Sequence, residues 1–257
     1  MKITIWSWNV NGLRAAMNKG FIPSIKKADV DIVGLQETKL QEHQIPEELA
    51  ELSSYHKYWS FALRKGYSGT ALFSKVEPLS FSDAFGVEEF DTEGRINIAE
   101  YDQFILFNVY FPNGAMNDGR LDYKLRFYDK ALEVMESKRK SGKAILVAGD
   151  YNTAHKEIDL ARPKENENIS GFLPIERQWL DKLVEHGWVD TFRHFDSSED
   201  QYSWWSYRVG ARPRNIGWRI DYFFIDKEHL DMINKAGIRQ DVMGSDHCPV
   251  YVELTLR

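Results

Sequence analysis

The run Ala144-Ile145-Leu146-Val147-Ala148 leads straight into Gly149-Asp150-Tyr151-Asn152. Five apolar residues closed by a glycine read as a buried strand. The chain is expected to turn at Gly149 and to present Asp150 and Asn152. Side chains two apart in extended backbone point the same way. A carboxylate and an amide would then emerge together at the end of a core strand. Such a pair can activate a water, hold a hard metal ion, or both. An Asn/Asp turn that merely closes a strand satisfies the same pattern, so the rest of the chain must decide.

The pattern recurs. Ile3, Ile5 and Val10 flank Trp6-Ser7-Trp8-Asn9-Val10-Asn11-Gly12, so a strand again ends in two amides spaced by two. A second strand, Asp31 to Leu35, runs into Gln36-Glu37-Thr38-Lys39. Glu37 either belongs to a site or starts a helix. Segments 94–101 and 104–110 read as a hairpin about Asp102-Gln103. Tyr110 lies at its end, and Pro112 forbids continuation as a central strand. A strand over 220–225 carries Asp221. Gly244-Ser245-Asp246-His247-Cys248-Pro249 precedes a last strand over 250–256. Helices are expected over 21–28, 44–53 (solvent-facing), 120–140, 174–186 and 227–234. Residues 154–173 read as a long loop, which inside a domain is usually functional. Asn9-x-Asn11 against Asp150-x-Asn152 is the one internal echo. The alternation implies one layered α/β domain over 1–257.

Composition limits the function classes. A 257-residue chain that is 43% hydrophobic and 28% charged builds a core and is not disordered. No run is long enough to span a bilayer, and Met1 opens no leader. The sole cysteine, Cys248, excludes an internal disulfide and a thiolate metal cluster. It fits a reducing compartment, the cytoplasm. Cys248 beside His247 lacks a visible nucleophile arrangement and reads as a small buried residue. A net charge of −6 argues against a basic coat for nucleic acid. A local basic face stays open. From Tyr202 to Ile220 there is no acid, and Arg208, Arg212, Arg214 and Arg219 alternate with Trp204, Trp205, Tyr207 and Trp218. Basic groups contact phosphates and aromatics stack on bases or fill the space of a missing one. An aromatic core stretch with a solvated Arg face is the alternative. Arg64, Lys65, Lys124 and Arg126 could extend the strip, and Met116 could wedge into a duplex.

Polar residues thus mark the ends of buried strands: Asn9/Asn11, Glu37, Tyr110, Asp150/Asn152, Asp221 and Asp246/His247. The set is rich in oxygen donors and holds one imidazole. Zinc wants several His or Cys; these donors suit Mg²⁺, or Mn²⁺. Mg²⁺ among carboxylates points to a phosphate substrate. Neither G-x-x-x-x-G-K-[ST] nor G-x-G-x-x-G occurs. His247 paired with Asp221 or Asp246 would favour imidazolium and suit a phosphate oxygen.

Trp8-Asn9-Val10-Asn11-Gly12-Leu13-Arg14, Gln36-Glu37-Thr38-Lys39, Gly149-Asp150-Tyr151-Asn152, Gly217-Trp218-Arg219-Ile220-Asp221-Tyr222 and Gly244-Ser245-Asp246-His247 resemble, in order, the exonuclease III family of apurinic/apyrimidinic (AP) endonucleases. The resemblance runs over nearly the whole chain. It implies a four-layer α/β sandwich, with two mixed β-sheets packed face to face and helices outside. It implies a Mg²⁺-dependent repair nuclease that acts as a monomer and cuts duplex DNA 5′ to abasic sites. Asp150 would activate the water or protonate the leaving group, and Asn152 would orient the nucleophile. His247 with Asp221 would hold the scissile phosphate, and Tyr110 would hydrogen-bond it. Glu37 would bind metal, with Asn9 or Asn11 nearby and Asp150, Asn152, Asp246 and His247 as further ligands. Some members carry Asp where Asn11 stands. Trp204, Trp218 and Ile220 would form the pocket for a base-free sugar. Lys39, Tyr67, Asn113, Met116, Lys124, Arg208 and Arg212 would lie along the DNA; some relatives insert an Arg where Met116 falls.

Two other classes share the residue set. A phosphoinositide or sphingolipid phosphodiesterase would need a membrane-facing apolar loop, and none is visible in the sequence. A non-catalytic nucleic-acid-binding module would not need the complete acid, amide and imidazole set.

Overall fold

The structure is a computed structural model that describes residues 1–115 and 118–256, without the side chains of Asp118 and Val209. The Met116 wedge therefore lies outside the described residues. In chain order the strands are β1 (Lys2–Asn9), β2 (Ile32–Gln36), β3 (His56–Ser60), β4 (Thr70–Ser74), β5 (Ser80–Ser82) and β6 (Ile96–Glu100). They continue with β7 (Phe104–Tyr110), β8 (Ala144–Asp150), β9 (Trp188–Asp190), β10 (Asp221–Asp226), β11 (Ile233–Ile238) and β12 (Val250–Thr255). They form two six-stranded mixed sheets, β11-β12-β1-β2-β4-β3 and β5-β6-β7-β8-β10-β9.

Period-two alternation sorts the layers. Along β8, Leu146 and Ala148 face the other sheet, beside Ile5, Leu72, Leu106 and Val252. Ile145 and Val147 face outward, against Phe127, Tyr128 and Leu132 of helix Asp118–Arg139 and Leu180 of helix Pro174–Glu185. On the first sheet Trp8, Val33 and Phe73 pack under Phe21 and Ile25 of helix Phe21–Ala28. Helix, sheet, sheet, helix is the four-layer α/β sandwich.

Topology carries the polar strand ends to one edge. β1 and β2 are parallel, with Asn9 opposite Gln36. β7 and β8 are parallel, with Tyr110 opposite Asp150. Parallel strands end on the same side, so Asn9, Glu37, Tyr110 and Asp150 gather there. β10 is antiparallel to β8 and starts at that edge, with Asp221 opposite Asp150. β12 is antiparallel to β1, so the segment before it, which carries Asp246 and His247, arrives beside Asn9.

A buried amide cluster fixes one sheet against the other just behind this edge. Asn108 Nδ2 donates to Leu35 O and Ala71 O at 3.1 Å, and Gln36 Nε2 donates to Asn108 Oδ1 at 2.6 Å. A Cβ at residue 34 would lie 2.5 Å from Asn108 Oδ1, so Gly34 is required.

Four expectations fail. The chain does not turn at Gly149; β8 runs on to Asp150. Gly149 is needed because a Cβ there would lie 1.8 Å from Val109 O. Residues 44–53 are two 3-10 turns, Glu42–Gln44 and Glu47–Glu51, because Pro46 divides them. This segment is not simply solvent-facing, since Leu49 and Leu52 are buried. Residues 227–232 form a 3-10 turn, and Ile233 already begins β11.

Candidate active site

Asp150 and Asn152 do emerge together, but through a tight turn. Asn152 has φ 51°, and its N–H donates to Asp150 Oδ1 at 2.8 Å. Asn9 and Asn11 repeat it: Asn11 has φ 45° and its N–H donates to Asn9 Oδ1 at 2.9 Å. Short Asx side chains tolerate this region and cap their own turn. Glu37, at φ 53°, has no such excuse. Strained non-glycine backbone held at the ends of core strands concentrates at functional sites.

Amides bridge the carboxylates. Asn9 Nδ2 donates to Glu37 Oε1 at 3.0 Å and to Asp150 Oδ2 at 2.9 Å. The Tyr110 hydroxyl donates to the same Glu37 oxygen at 2.7 Å. Lys39 Nζ lies 2.9 Å from Glu37 Oε2 and also donates to Asn11 Oδ1. Burial works to raise Glu37, but Lys39, Asn9 and Tyr110 outweigh it, so the group is lowered and stays a carboxylate. Burial, then the Glu37 charge, push the Tyr110 phenol far up, so it stays a donor.

The sequence left two partners open for His247, and the geometry selects Asp221. His247 Nδ1–H donates to Asp221 Oδ2 at 2.8 Å, and Nε2 lies 3.9 Å from Asp150 Oδ2. Burial would depress this imidazole. The Asp221 charge and hydrogen bond outweigh it, with Asp150 and Asp246 adding to them, and raise it to about 10. Asp246 instead accepts from Asn11 Nδ2 at 2.9 Å and Trp204 Nε1 at 3.1 Å. Asp150 is fully buried, and burial followed by the Asp221 charge raises it to about 7. A carboxyl poised near neutrality beside an imidazolium is the pairing acid–base chemistry at pH 7 requires.

Glu37, Tyr110, Asp150, Asn152, Asp246 and His247 line a cavity of about 230 Å³, which is also lined by Trp204, Trp218 and Ile220 and by Ile169, Ser170 and Gly171. The two indoles stand edge to face, with centroids 6.3 Å apart. Asn113 is exposed and donates to Asn152 Oδ1 at 3.1 Å.

The donor chemistry fits a hard divalent cation. Asp150, Asp221 and His247 offer ligand atoms within 4.8 Å of one another. Asp221 Oδ1 is buried and accepts no hydrogen bond. Glu37 adds a carboxylate and Asn9 holds it to Asp150. While His247 carries its second proton, Nε2 has no lone pair for a metal, so cation and proton exclude each other at that nitrogen.

Several residues expected along DNA lie elsewhere. Lys124 is fully buried; its ammonium pairs with Glu176 at 2.6 Å and cannot reach DNA. Arg219 is buried between Asp159 and Asp190, at 2.8 and 2.7 Å. Arg212 is half-buried and donates to Ser245 O, Gln240 O and Val242 O, so it braces the segment carrying Asp246 and His247. In each case an apolar stem and nearby acceptors draw the charge inward, which single-residue type does not reveal. Tyr67 is half-buried, its hydroxyl accepting from Arg95 at 2.8 Å and Arg120 at 3.1 Å. Lys39 is half-buried and paired with Glu37, and Arg208 is exposed.

Sequence reasoning missed Ser203 and Arg95. The Ser203 hydroxyl donates to Asp221 Oδ2 at 2.6 Å and fixes the carboxylate that holds His247. Arg95 lies under the Tyr110 ring, 4.6 Å from its centroid, and donates to Tyr110 O at 3.0 Å. A charged residue at the start of a buried strand was the available signal for Arg95; Ser203 had none.

A near-neutral carboxyl, an imidazolium held by a carboxylate and a hard-cation donor set are the equipment of a hydrolase for phosphate esters. The chain belongs to the Endonuclease/Exonuclease/phosphatase family, whose model matches residues 6–247. It is 48% identical over 253 residues to the exodeoxyribonuclease of Bacillus subtilis, covering 97% of this chain and 98% of that protein. It is 40% identical over 259 residues to the DNA repair nuclease APEX1 of Danio rerio, covering 100% of this chain and 83% of that one. The solved AP endonuclease of Archaeoglobus fulgidus superposes with a TM-score of 0.90 at 27% identity, over 99% of this chain and 100% of that chain.

Proposed function

We propose that this nuclease hydrolyses the phosphodiester 5′ to an abasic site in duplex DNA. The products are a 3′-hydroxyl and a 5′-deoxyribose phosphate. A 3′→5′ exonuclease or 3′-phosphodiesterase action would use the same groups. The observation that carries the reading is one small cavity lined both by the acid–base groups and by Trp204, Trp218 and Ile220. A sugar without its base costs little to extrude, and a tight apolar pocket rejects one that keeps it. Names of relatives that include a DNA repair nuclease and an AP endonuclease support it.

The geometry supports the following roles. His247, charged and braced by Asp221 and Ser203, faces a non-bridging phosphate oxygen. The Tyr110 hydroxyl donates to another. Asn152 orients the water, and Asp150 takes its proton as the oxygen attacks phosphorus in line. The bond from phosphorus to the 3′-oxygen breaks, that oxygen takes a proton from solvent, and Asp150 returns the proton it took to solvent. Glu37 and Asp150, with Asn9 between them and Asp246 nearby, would hold Mg²⁺ or Mn²⁺. A bound divalent cation would neutralise charge on the phosphate. Positioning and charge complementarity supply most of the rate.

The test is a duplex oligonucleotide with one abasic-site analogue, incubated with Mg²⁺ or with EDTA, beside undamaged and uracil-containing duplexes. Metal-dependent incision just 5′ to the analogue, with the undamaged duplex spared, is the expected result. No incision by a folded protein would overturn the reading.

A further inference from the structure

Lys124 was expected on the DNA face and lies instead in the protein interior. Its ammonium donates to Asn152 O at 2.8 Å, to Thr153 Oγ1 at 2.8 Å and to Glu176 Oε1 at 2.6 Å. All three donors of the group are thereby used. Both residues are fully buried. Glu176 is equally engaged. Its Oε1 also accepts from Ser170 Oγ at 3.0 Å, and Oε2 accepts from Gly171 N at 2.6 Å and Leu173 N at 3.1 Å. One buried ion pair thus ties two separate segments. On one side is the turn that carries Asn152; on the other is 170–173, which supplies a wall of the cavity.

The two segments meet without slack. Ala154 N donates to Gly171 O at 2.8 Å. Gly171 has φ +99°, and a Cβ there would lie 3.1 Å from Trp218 Cζ3 and 3.2 Å from Asn152 O. A small shift of 170–173 would therefore move the wall against Trp218 and widen the sugar pocket. Burial depresses Lys124, and the Glu176 charge works against that. Removing one alone strands a buried charge.

We propose that Lys124 and Glu176 are a positioning pair that locks the pocket wall to the Asn152 turn and so sets selectivity for base-free sugars over nucleotides that keep a base. The inference rests on the abasic-site reading and names what enforces its selectivity. Neither residue touches substrate; both act through Asn152, Gly171 and Trp218.

The experiment compares the wild type with the double variant Lys124→Met/Glu176→Gln. This variant leaves no unpaired charge and keeps an acceptor for the Gly171 and Leu173 amides. A second variant, Glu176→Gln alone, leaves Lys124 unpaired and is read only for thermal stability. For the double variant, kcat and KM are measured on the abasic-analogue duplex and on the 3′ ends of undamaged duplex. The expected result is an intact near-ultraviolet circular dichroism spectrum and an abasic-to-undamaged kcat/KM ratio lowered about tenfold, carried by kcat on the abasic duplex. An unchanged ratio, with both activities falling in parallel or neither falling, would overturn the pairing role. Should the wild type itself not incise the abasic duplex, the underlying substrate reading fails before any variant is compared.

Discussion

The front and back of the cavity are both buried polar networks, yet their charge balance differs. At the front, among the described residues, the carboxylates Glu37, Asp150, Asp221 and Asp246 have Lys39 and His247 as their ion-pair partners. Behind it, Glu176 is matched by Lys124, and Asp159 and Asp190 by Arg219 and Arg193. The back neutralises itself and spends its charges on holding backbone in place. At the front, burial and then the neighbouring Asp221 charge lift Asp150 to about 7. A site left in that state is ready for a cation and a proton; a self-neutral one is not. Burial alone therefore does not separate machinery from scaffold. The surplus of one sign does.

The largest effect should come from the front. Asp150→Asn keeps the shape but turns one of two acceptor oxygens into a donor, so it can accept from Asn152 N–H or from Asn9 Nδ2 but not from both, and it cannot take a proton. Cleavage of the abasic duplex should fall about 10³-fold, within the range of general acid–base catalysis, with DNA affinity nearly unchanged in a binding titration. A fully active variant would remove Asp150 from the chemistry and dissolve the contrast.

Next is Asp221→Asn. Asp221 is the strongest influence raising His247, so its loss lets burial depress the imidazole. A raised group keeps its proton below its folded value, and His247 keeps its own up to about 10. The wild type should then show no loss of kcat/KM attributable to His247 between pH 6.5 and 9. The variant should lose activity as pH rises through that window, by about 10²-fold at pH 8. Parallel profiles would mean the imidazolium is not used.

The back should answer to acid rather than to substrate. Burial works to raise Asp159, but Arg219 and Arg193 outweigh it and hold it at about 2. Its unfolded value is about 3.9. A lowered carboxylate contributes stability that is complete above the unfolded value and is lost as pH falls toward the folded one. Asp159 should therefore contribute up to about 2 kcal/mol near neutrality. Urea unfolding from pH 7 to 2.5 should show a steeper acid loss in the wild type than in Asp159→Asn. Equal slopes would show that the arginines do not hold this carboxylate.

How much of this was legible in the sequence follows from the same contrast. Strand-end polar residues were readable because they interrupt apolar runs: Glu37 after β2, Asp150 after the five apolar residues of β8, His247 before β12. Their convergence was not, because it depends on which strands run parallel. The three-residue strands β5 and β9 are too short to show an apolar pattern, and β11 breaks its own with Asn234, Lys235 and Gly237. The basic strip misled because Arg208 and Arg219 look alike in sequence. Only the fold brings Asp159 and Asp190 to Arg219 while Arg208 stays exposed.

The smallest effect separates a buried pair from a surface one on the same helix. Arg126 lies two residues beyond Lys124, but it is half exposed, and it pairs with Glu89 at 2.5 Å and Asp122 at 2.9 Å. Exposed pairs contribute about 0–1 kcal/mol. Already held by two carboxylates, Arg126 has little charge to lend to a phosphate. Arg126→Ala should therefore shift stability by about 0.5 kcal/mol at most. Against salt concentration, the logarithm of DNA affinity should keep its slope. Loss of a phosphate contact would instead reduce that slope by about one. A reduced slope would extend the DNA face onto this helix, and the line drawn here between front and scaffold would have to move outward to include it.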